Sequence, residues 1–208
     1  MASSDEPNIA GPAFIVIGRK VCTDGRFSLN DLTGSTGRLD ILLRCINSSF
    51  MLSHNIRRDI ELYLVLQGEP DAPKTLLFKG DELKYLNPDE RATAALVKNA
   101  LMVKNITPEW RKSTPGIMVA RLDFPELLKQ LEGRRIVYLK EEGKSLSETE
   151  LSQDDVFVLG GKDDISEAEE EIIAKWPDTL KISLGPKSLH ADHCITATLN
   201  RLDNSPQI

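Results

Sequence analysis

Short apolar runs alternate along the chain with segments whose apolar residues recur at helical spacing. The runs have the length of strands, and turn-forming residues lie between them. Strands that alternate with helices are typical of an α/β fold with a largely parallel sheet. We therefore predict strands over residues 13–17, 60–66, 74–79, 83–86, 117–122, 135–139, 156–159 and 180–184.

Several of the helical segments carry start signals. Asn87 precedes a proline at the first helical position, and Ser166 with Glu169 forms a capping-box pattern. The helix that begins at Arg38 is apolar or small on two sides, so it should be sandwiched, either within the domain or against a second subunit. Helices are predicted over residues 38–55, 87–104, 125–131, 166–176 and 188–202.

The last predicted strand and helix are joined by a loop that suits a ligand. The strand breaks at Gly185-Pro186, and Ser188 is placed to cap the helix that follows. A strand that turns at once into a helix leaves backbone amides and carbonyls pointing into the loop. Because α/β proteins usually bind ligands at the carboxyl ends of their strands, we expect a ligand here, held mainly by the main chain.

The 208 residues are enough for one domain with a real core and a small extension. Residues 1–12 are polar and are predicted to be a flexible tail, and residues 13–208 the domain. No apolar run is long enough to span a bilayer, and the amino terminus lacks the pattern of an export signal. Cys22, Cys45 and Cys194 are scattered and form no C-x-x-C pair, which favours a reducing, cytoplasmic location.

The net charge of −6 is unevenly distributed. Residues 141–171 contain twelve acidic residues against only Lys144 and Lys162, so this segment carries −10 and the remainder +4. A basic face elsewhere could therefore meet nucleic acid. The candidates for RNA contacts outside the reaction site are Lys98, Lys104, Arg111 and Lys112.

Two short motifs each admit two interpretations. Gly160-Gly161 follows a strand and precedes a helix, which suits a phosphate-binding loop, but it lacks a full nucleotide-loop signature, so the pattern alone favours a plain tight turn. Arg57-Arg58-Asp59 lies where a helix leads into a strand. It is either a solvated turn with an ion pair or a site for a planar anionic or imide-like substrate.

The start of the last helix carries residues that partly match a metal site. His190, Asp192, His193 and Cys194 have the residue types and part of the spacing of metal ligands. No second cluster supplies further ligands, and Cys194 borders the apolar stripe of the helix. We therefore expect no metal and interpret Cys194 as packed or facing a cofactor.

Several blocks of the sequence resemble one known family closely, the tRNA pseudouridine N1-methyltransferases of archaea (TrmY), within the SPOUT methyltransferase superfamily. The resemblance runs from about Phe14 to Asp203. The blocks are Phe27–Leu32, Gly37–Asp40, Arg44-Cys45, Leu52–His54, Ile56–Asp59, Asn87–Arg91, Ser113–Ile117 and His190–Cys194.

The resemblance implies a single-domain SPOUT fold with a mostly parallel sheet flanked by helices and a C-terminal trefoil knot, a rare exception to the rule that chains do not thread loops. It implies a homodimer that uses S-adenosyl-L-methionine, with knot and cofactor site within about residues 135–203. The cofactor residues it implies are Leu139, Gly160, Leu184, Gly185, Pro186, Lys187, Ser188, Leu189 and Cys194.

The implied reaction is methylation of N1 of pseudouridine at position 54, in the T-loop of tRNA. This step needs a carboxylate near N1 and a guanidinium near a ring carbonyl, for which Asp59 and Arg58 are the candidates. Arg38 and Arg57 are the candidates for substrate phosphate. The alternative is a non-catalytic RNA-binding or assembly factor that retains the scaffold.

Overall fold

The computed structural model describes residues 11–205, which form one mixed sheet with helices on both faces. The strands are β1 (Ala13–Gly18), β2 (Glu61–Leu66), β3 (Lys74–Lys79), β4 (Arg111–Thr114), β5 (Ile117–Ala120), β6 (Ile136–Ser145), β7 (Val156–Gly160) and β8 (Thr179–Ser183). The helices are α1 (Leu39–Phe50), α2 (Glu90–Leu101), α3 (Phe124–Gln130), α4 (Glu167–Ala174) and α5 (Ala191–Asp203).

The strand order is β4-β5-β3-β2-β1-β7-β6-β8. From β2 to β8 every neighbouring pair is parallel, whereas β3, β5 and β4 add antiparallel strands at the other end. The predicted α/β class with a largely parallel sheet is therefore confirmed. None of the helices within residues 11–205 is long and apolar enough to cross a membrane.

Alternating side chains of the strands divide the core into two layers. On β1, Phe14 and Val16 join the cluster that contains α1, α2 and α5, while Ile15 and Ile17 join the cluster that contains α3 and α4. Successive strand residues face opposite sides of a sheet, so a strand buried on both sides is apolar throughout. This explains why β1 and β7 appear in the sequence as unbroken apolar runs.

Both apolar sides of α1 are buried within the protomer. Leu39, Leu42 and Ile46 belong to the same core cluster as the small or apolar residues Ile41 and Cys45 on the other side. The helix lies between the sheet, α2 and α5. The sequence left open whether a second subunit covers one side, and the structure places the covering residues in the same chain. Of the other residues on the predicted second side, Ser48 is partly exposed and Leu52, beyond the end of α1, is 48% exposed.

Several predicted boundaries were wrong, and local chemistry explains why. The cap of α2 is Asp89, whose side chain accepts the amide of Ala92, while Asn87 bonds the carbonyl of Tyr85. The cap of α5 is His190, because the hydroxyl of Ser188 donates to Glu141 instead. Residues 83–86 are irregular and form no strand, and β3 pairs with β2 and β5.

Other boundaries moved without a change in the type of element. The first helix ends at Phe50 rather than near residue 55, and the second ends at Leu101 rather than near residue 104. Strand β6 continues to Ser145, into the acidic segment that was predicted to be a loop. Strand β4, whose residues are polar, was not predicted.

The predicted tail, residues 1–12, falls mostly outside the described residues. Its last two residues are packed against the domain: Gly11 accepts a hydrogen bond from Arg134, and Pro12 accepts one from the amide of Glu61. The ordered domain therefore begins before residue 13.

We predict that the contact between β1 and β7 contributes strongly to the free energy of unfolding. Phe14 and Phe157 are fully buried, and their rings stack with centroids 5.0 Å apart. Phe157→Ala should lower the free energy of unfolding by about 3–5 kcal/mol through lost burial and the cavity left behind. Met102→Ala, at a side chain that is 57% exposed, is the control and should change it by less than about 0.5 kcal/mol. Denaturant unfolding measures both, and equal losses would contradict this description of the core.

Candidate active site

A cavity of about 360 Å³ lies at the carboxyl ends of the parallel strands. Because β1, β7, β6 and β8 are parallel, the loops that follow them leave from one edge of the sheet. The volume is within the range of small-molecule sites, about 300–1,000 Å³. The cavity is lined by Arg38, Ile41, Leu139, Lys140, Glu141, Leu159, Gly160, Gly161, Lys162, Asp164, Ser183, Leu184, Gly185, Lys187, Ser188, Leu189, His190, Ala191 and Cys194.

An irregularity in β6 opens one wall of the cavity. Leu139 pairs with Ile182, and Lys144 then pairs with the same residue, so the segment between them leaves the sheet. Gly143 allows the close return, since a side chain there would meet the backbone of Ile182. The displaced segment brings Glu141 beside the last loop, where its carboxylate accepts the hydroxyl of Ser188 at 2.7 Å.

The last loop is shaped by Gly185, which has a φ of +138°. L-residues rarely adopt this conformation. A Cβ at this position would have no atom within 4 Å, so it would point into open space at the cavity. The amide of Gly185 donates to the hydroxyl of Ser183, and that hydroxyl donates to the carbonyl of Gly185. Main-chain and small polar groups therefore dominate this wall.

Cys194 closes the cavity from the first turn of α5. Burial is the main cause that raises the pKa of its thiol to about 11, and the charges of Glu141 and Asp192 add to the effect. The thiol therefore stays protonated at neutral pH and is a poor nucleophile. Its Sγ atom lies 3.9 Å from the carbonyl oxygen of Leu189, and this contact links the first turn of α5 to the loop before it.

Arg38 reaches the cavity from the loop before α1, and the buried carboxylate of Asp40 fixes its direction. The guanidinium Nε and Nη2 atoms donate to the two carboxylate oxygens at 2.8 and 2.9 Å. Arg44 donates to the same carboxylate at 3.1 Å. The hydrogen bonds from Arg38 are the main cause that holds the pKa of Asp40 below its usual range. Arg38 is thus a cation held in place at the cavity wall.

The Arg57-Arg58-Asp59 motif lies at the opposite edge of the sheet, before the amino end of β2. Arg57 makes two hydrogen bonds to Asp203, at the last turn of α5, whereas the first turn of α5 lines the cavity. Thirteen helical residues span about 20 Å. Within one protomer the structure therefore does not bring this motif to the cavity.

The two other residues of the motif differ in their surroundings. Arg58 donates to the backbone carbonyls of Gly80 and Leu83, which positions its guanidinium at the turn after β3. The carboxylate of Asp59 is 63% exposed and lies 3.7 Å from Arg57. Asp59 is therefore available to a group that approaches from outside the protomer.

The residues predicted for the cofactor lie together in the cavity wall, with the exception of Pro186, which is outside the lining set. Arg38, predicted for substrate, lies in the same wall. The sequence interpretation missed Glu141, Lys162 and Asp164. Each follows a predicted strand end by a few residues, so extending those loops along the chain would have found them.

The residues considered as metal ligands do not converge. The rings of His190 and His193 pack edge to face, and the carboxylate of Asp192 lies 4.0 Å from Arg44 Nε. Within residues 11–205 no group of three or more potential ligands is close enough to hold a metal ion.

Known proteins resemble the chain over nearly its whole length. Residues 12–206 match the family described as "Putative SAM-dependent RNA methyltransferase". The tRNA (pseudouridine(54)-N(1))-methyltransferase of Methanosarcina mazei is 45% identical to this chain. The alignment covers 92% of this chain and 90% of that protein. The protein of that name from Methanococcus maripaludis is also 45% identical, over 91% of this chain and 97% of its own.

The fold has a counterpart among solved structures. The crystal structure of Archaeoglobus fulgidus Nep1 bound to S-adenosylhomocysteine superposes with a TM-score of 0.63, over 93% of this chain and 97% of that one. The sequence identity is 16%, so the likeness concerns the fold. Given the family match over residues 12–206, the chain belongs to the family of S-adenosylmethionine-dependent RNA methyltransferases.

Proposed function

We propose that this protein transfers a methyl group from S-adenosyl-L-methionine to N1 of pseudouridine at position 54 of tRNA. The observation that carries the proposal is the cavity at the carboxyl edge of the sheet, bounded by the loops at Leu139, Gly160 and Gly185. Relatives that carry this activity in their names support the choice of substrate, since they are about 45% identical over nearly the whole chain.

The cavity residues suit the cofactor. Leu139, Leu159, Leu184 and Leu189 give it apolar walls, and the loops around them add main-chain donors and acceptors. The carboxylate of Glu141 and the ammonium of Lys187 offer partners of both signs for a ligand that carries an amino and a carboxyl group. When bound, the cofactor supplies an electrophilic methyl group on a sulfonium.

The protein must also stabilise the negative charge that develops on the base. N1 of pseudouridine loses its proton and its lone pair forms the new bond to carbon, while the bond from that carbon to sulfur breaks. The ring is anionic on the way, so a cation held in a dry site stabilises it. Arg38 meets this need in the protomer that holds the cofactor, since Asp40 fixes its guanidinium at the wall.

We assign Asp59 and Arg58 to the reaction only across two copies of the chain. Both belong to the segment that Arg57 joins to the last turn of α5, a helix about 20 Å long whose first turn lines the cavity. In a homodimer, a second copy could present the exposed carboxylate of Asp59 to the cavity, where it would orient or accept the N1 proton. The homodimer and these two roles are therefore parts of one proposal.

The finer fold assignment is also part of the proposal. We expect the segment from about residue 135 to residue 203 to form the trefoil knot of the SPOUT superfamily. The resemblance described above supports it. An experimental chain trace without threading would contradict it. We place the reaction in the cytoplasm, in keeping with a tRNA substrate and three free cysteines.

Gly185→Val should weaken cofactor binding at least ten-fold. The new side chain would add bulk to a residue that lines the cavity, and the backbone there is one that valine rarely adopts. Gly133→Val is a matched control, since Gly133 also has a positive φ and open space but lies before β6, at the other edge. Calorimetric titration with S-adenosyl-L-methionine measures both. Equal affinity in the two variants would remove Gly185 from the site.

Two tRNA transcripts that differ only at position 54 test the function itself. The transcript with pseudouridine should gain one methyl group, and mass spectrometry of the nucleosides should identify it as 1-methylpseudouridine. The transcript with uridine should gain none at that position, because its N1 is occupied by the glycosidic bond. Equal methylation of both, or none of the first, would contradict the proposed function.

A further inference from the structure

A second group of side chains adjoins the cavity and is strongly basic. Arg19, Lys20, Arg38 and Lys162 surround a shallow niche together with Asp163 as the one carboxylate. Two of these cations, Arg38 and Lys162, also line the main cavity. The niche and the cavity therefore share a wall.

The backbone holds the loops of the niche firmly together. Strands β1 and β7 are parallel neighbours, and the amide of Gly161 donates to the carbonyl of Ile17 at 2.9 Å. Gly37, at φ +68°, packs so closely on the backbone of Lys20 that a Cβ would come within 1.8 Å of its carbonyl oxygen. The cations thus project from backbone whose position is set by packing rather than from a free loop.

The charges of the niche are only partly compensated. Lys20 lies 3.5 Å from Asp163, but its side chain is 73% exposed, and exposed ion pairs contribute little. Arg19 and Lys162 are exposed and make no salt bridge within residues 11–205. The niche therefore presents several fixed positive charges to solvent beside the opening where a target base would enter.

We propose that Arg19, Lys20 and Lys162 bind the phosphodiester backbone of the RNA next to the nucleotide whose base enters the cavity. This inference rests on the proposed function and adds the surface that docks the substrate. Phosphates flanking a flipped-out base must lie close to the opening, and the shared wall places the cations there.

The basic residues suggested by the sequence alone are less suitable. The ammonium of Lys98 donates to the carbonyl of Phe27 and lies over its ring. Arg111 and Lys112 belong to β4, at the end of the sheet farthest from β7.

A salt series of tRNA binding tests the niche. Arg19→Ala and Lys20→Ala should each flatten the slope of log affinity against log salt by about 0.7–0.9, the value for one lost phosphate contact. Extrapolated from 1 M salt, this change in slope corresponds to about four- to six-fold weaker binding at 0.15 M salt. Lys129→Ala and Lys175→Ala remove the same charge from α3 and the end of α4, and should leave the slope unchanged.

Two readouts separate this inference from the proposed function. Neither Arg19 nor Lys20 lines the cavity, so calorimetric affinity for S-adenosyl-L-methionine should be unchanged in both variants. An unaltered salt slope in Arg19→Ala and Lys20→Ala, or a slope that Lys129→Ala and Lys175→Ala flatten by as much, would overturn the niche as the docking surface. Methylation by the wild-type protein would in that case still support the function, and its absence would contradict the function alone.

Discussion

The parallel register of β2, β1, β7, β6 and β8 is the constraint on which the rest of the structure depends. Parallel strands place all their carboxyl ends at one edge, so loops far apart in sequence converge there. The same register sends every amino end to the opposite edge. A residue that precedes a strand therefore lies one strand length from a residue that follows it, which is about 20 Å for six residues.

This separation divides the polar residues into two groups. At the carboxyl edge, Asp40 fixes Arg38 beside loops that offer mainly backbone groups, which suits a cofactor and a planar anion. At the amino edge, Arg57 is tied to Asp203, and Asp59 is left exposed. A protein that uses both groups in one reaction must bring two copies of the chain together.

The start of a helix could be predicted from the sequence where its capping side chains have no competing partner. The capping box of Ser166 and Glu169 forms as expected, with hydrogen bonds in both directions. Side chains with a competing partner were not predictable: Ser188 bonds Glu141, which lies 47 residues away. The distance between Asp59 and the cavity was equally hidden, because it follows from strand register and not from any motif. The family resemblance indicated the cavity loops, and each of them also follows an apolar run that is predicted to be a buried strand.

Complementation between two inactive proteins tests most directly whether the two edges meet across a dimer. One chain carries Gly185→Val, which fills its cavity, and the other carries Asp59→Ala; differently tagged copies are co-expressed and the mixed dimer is purified. The account predicts that each variant alone methylates tRNA poorly and that the mixed dimer recovers about half of the wild-type rate. One of its two sites then combines an intact cavity with an intact Asp59. A mixed dimer as inactive as its parents would contradict the shared site.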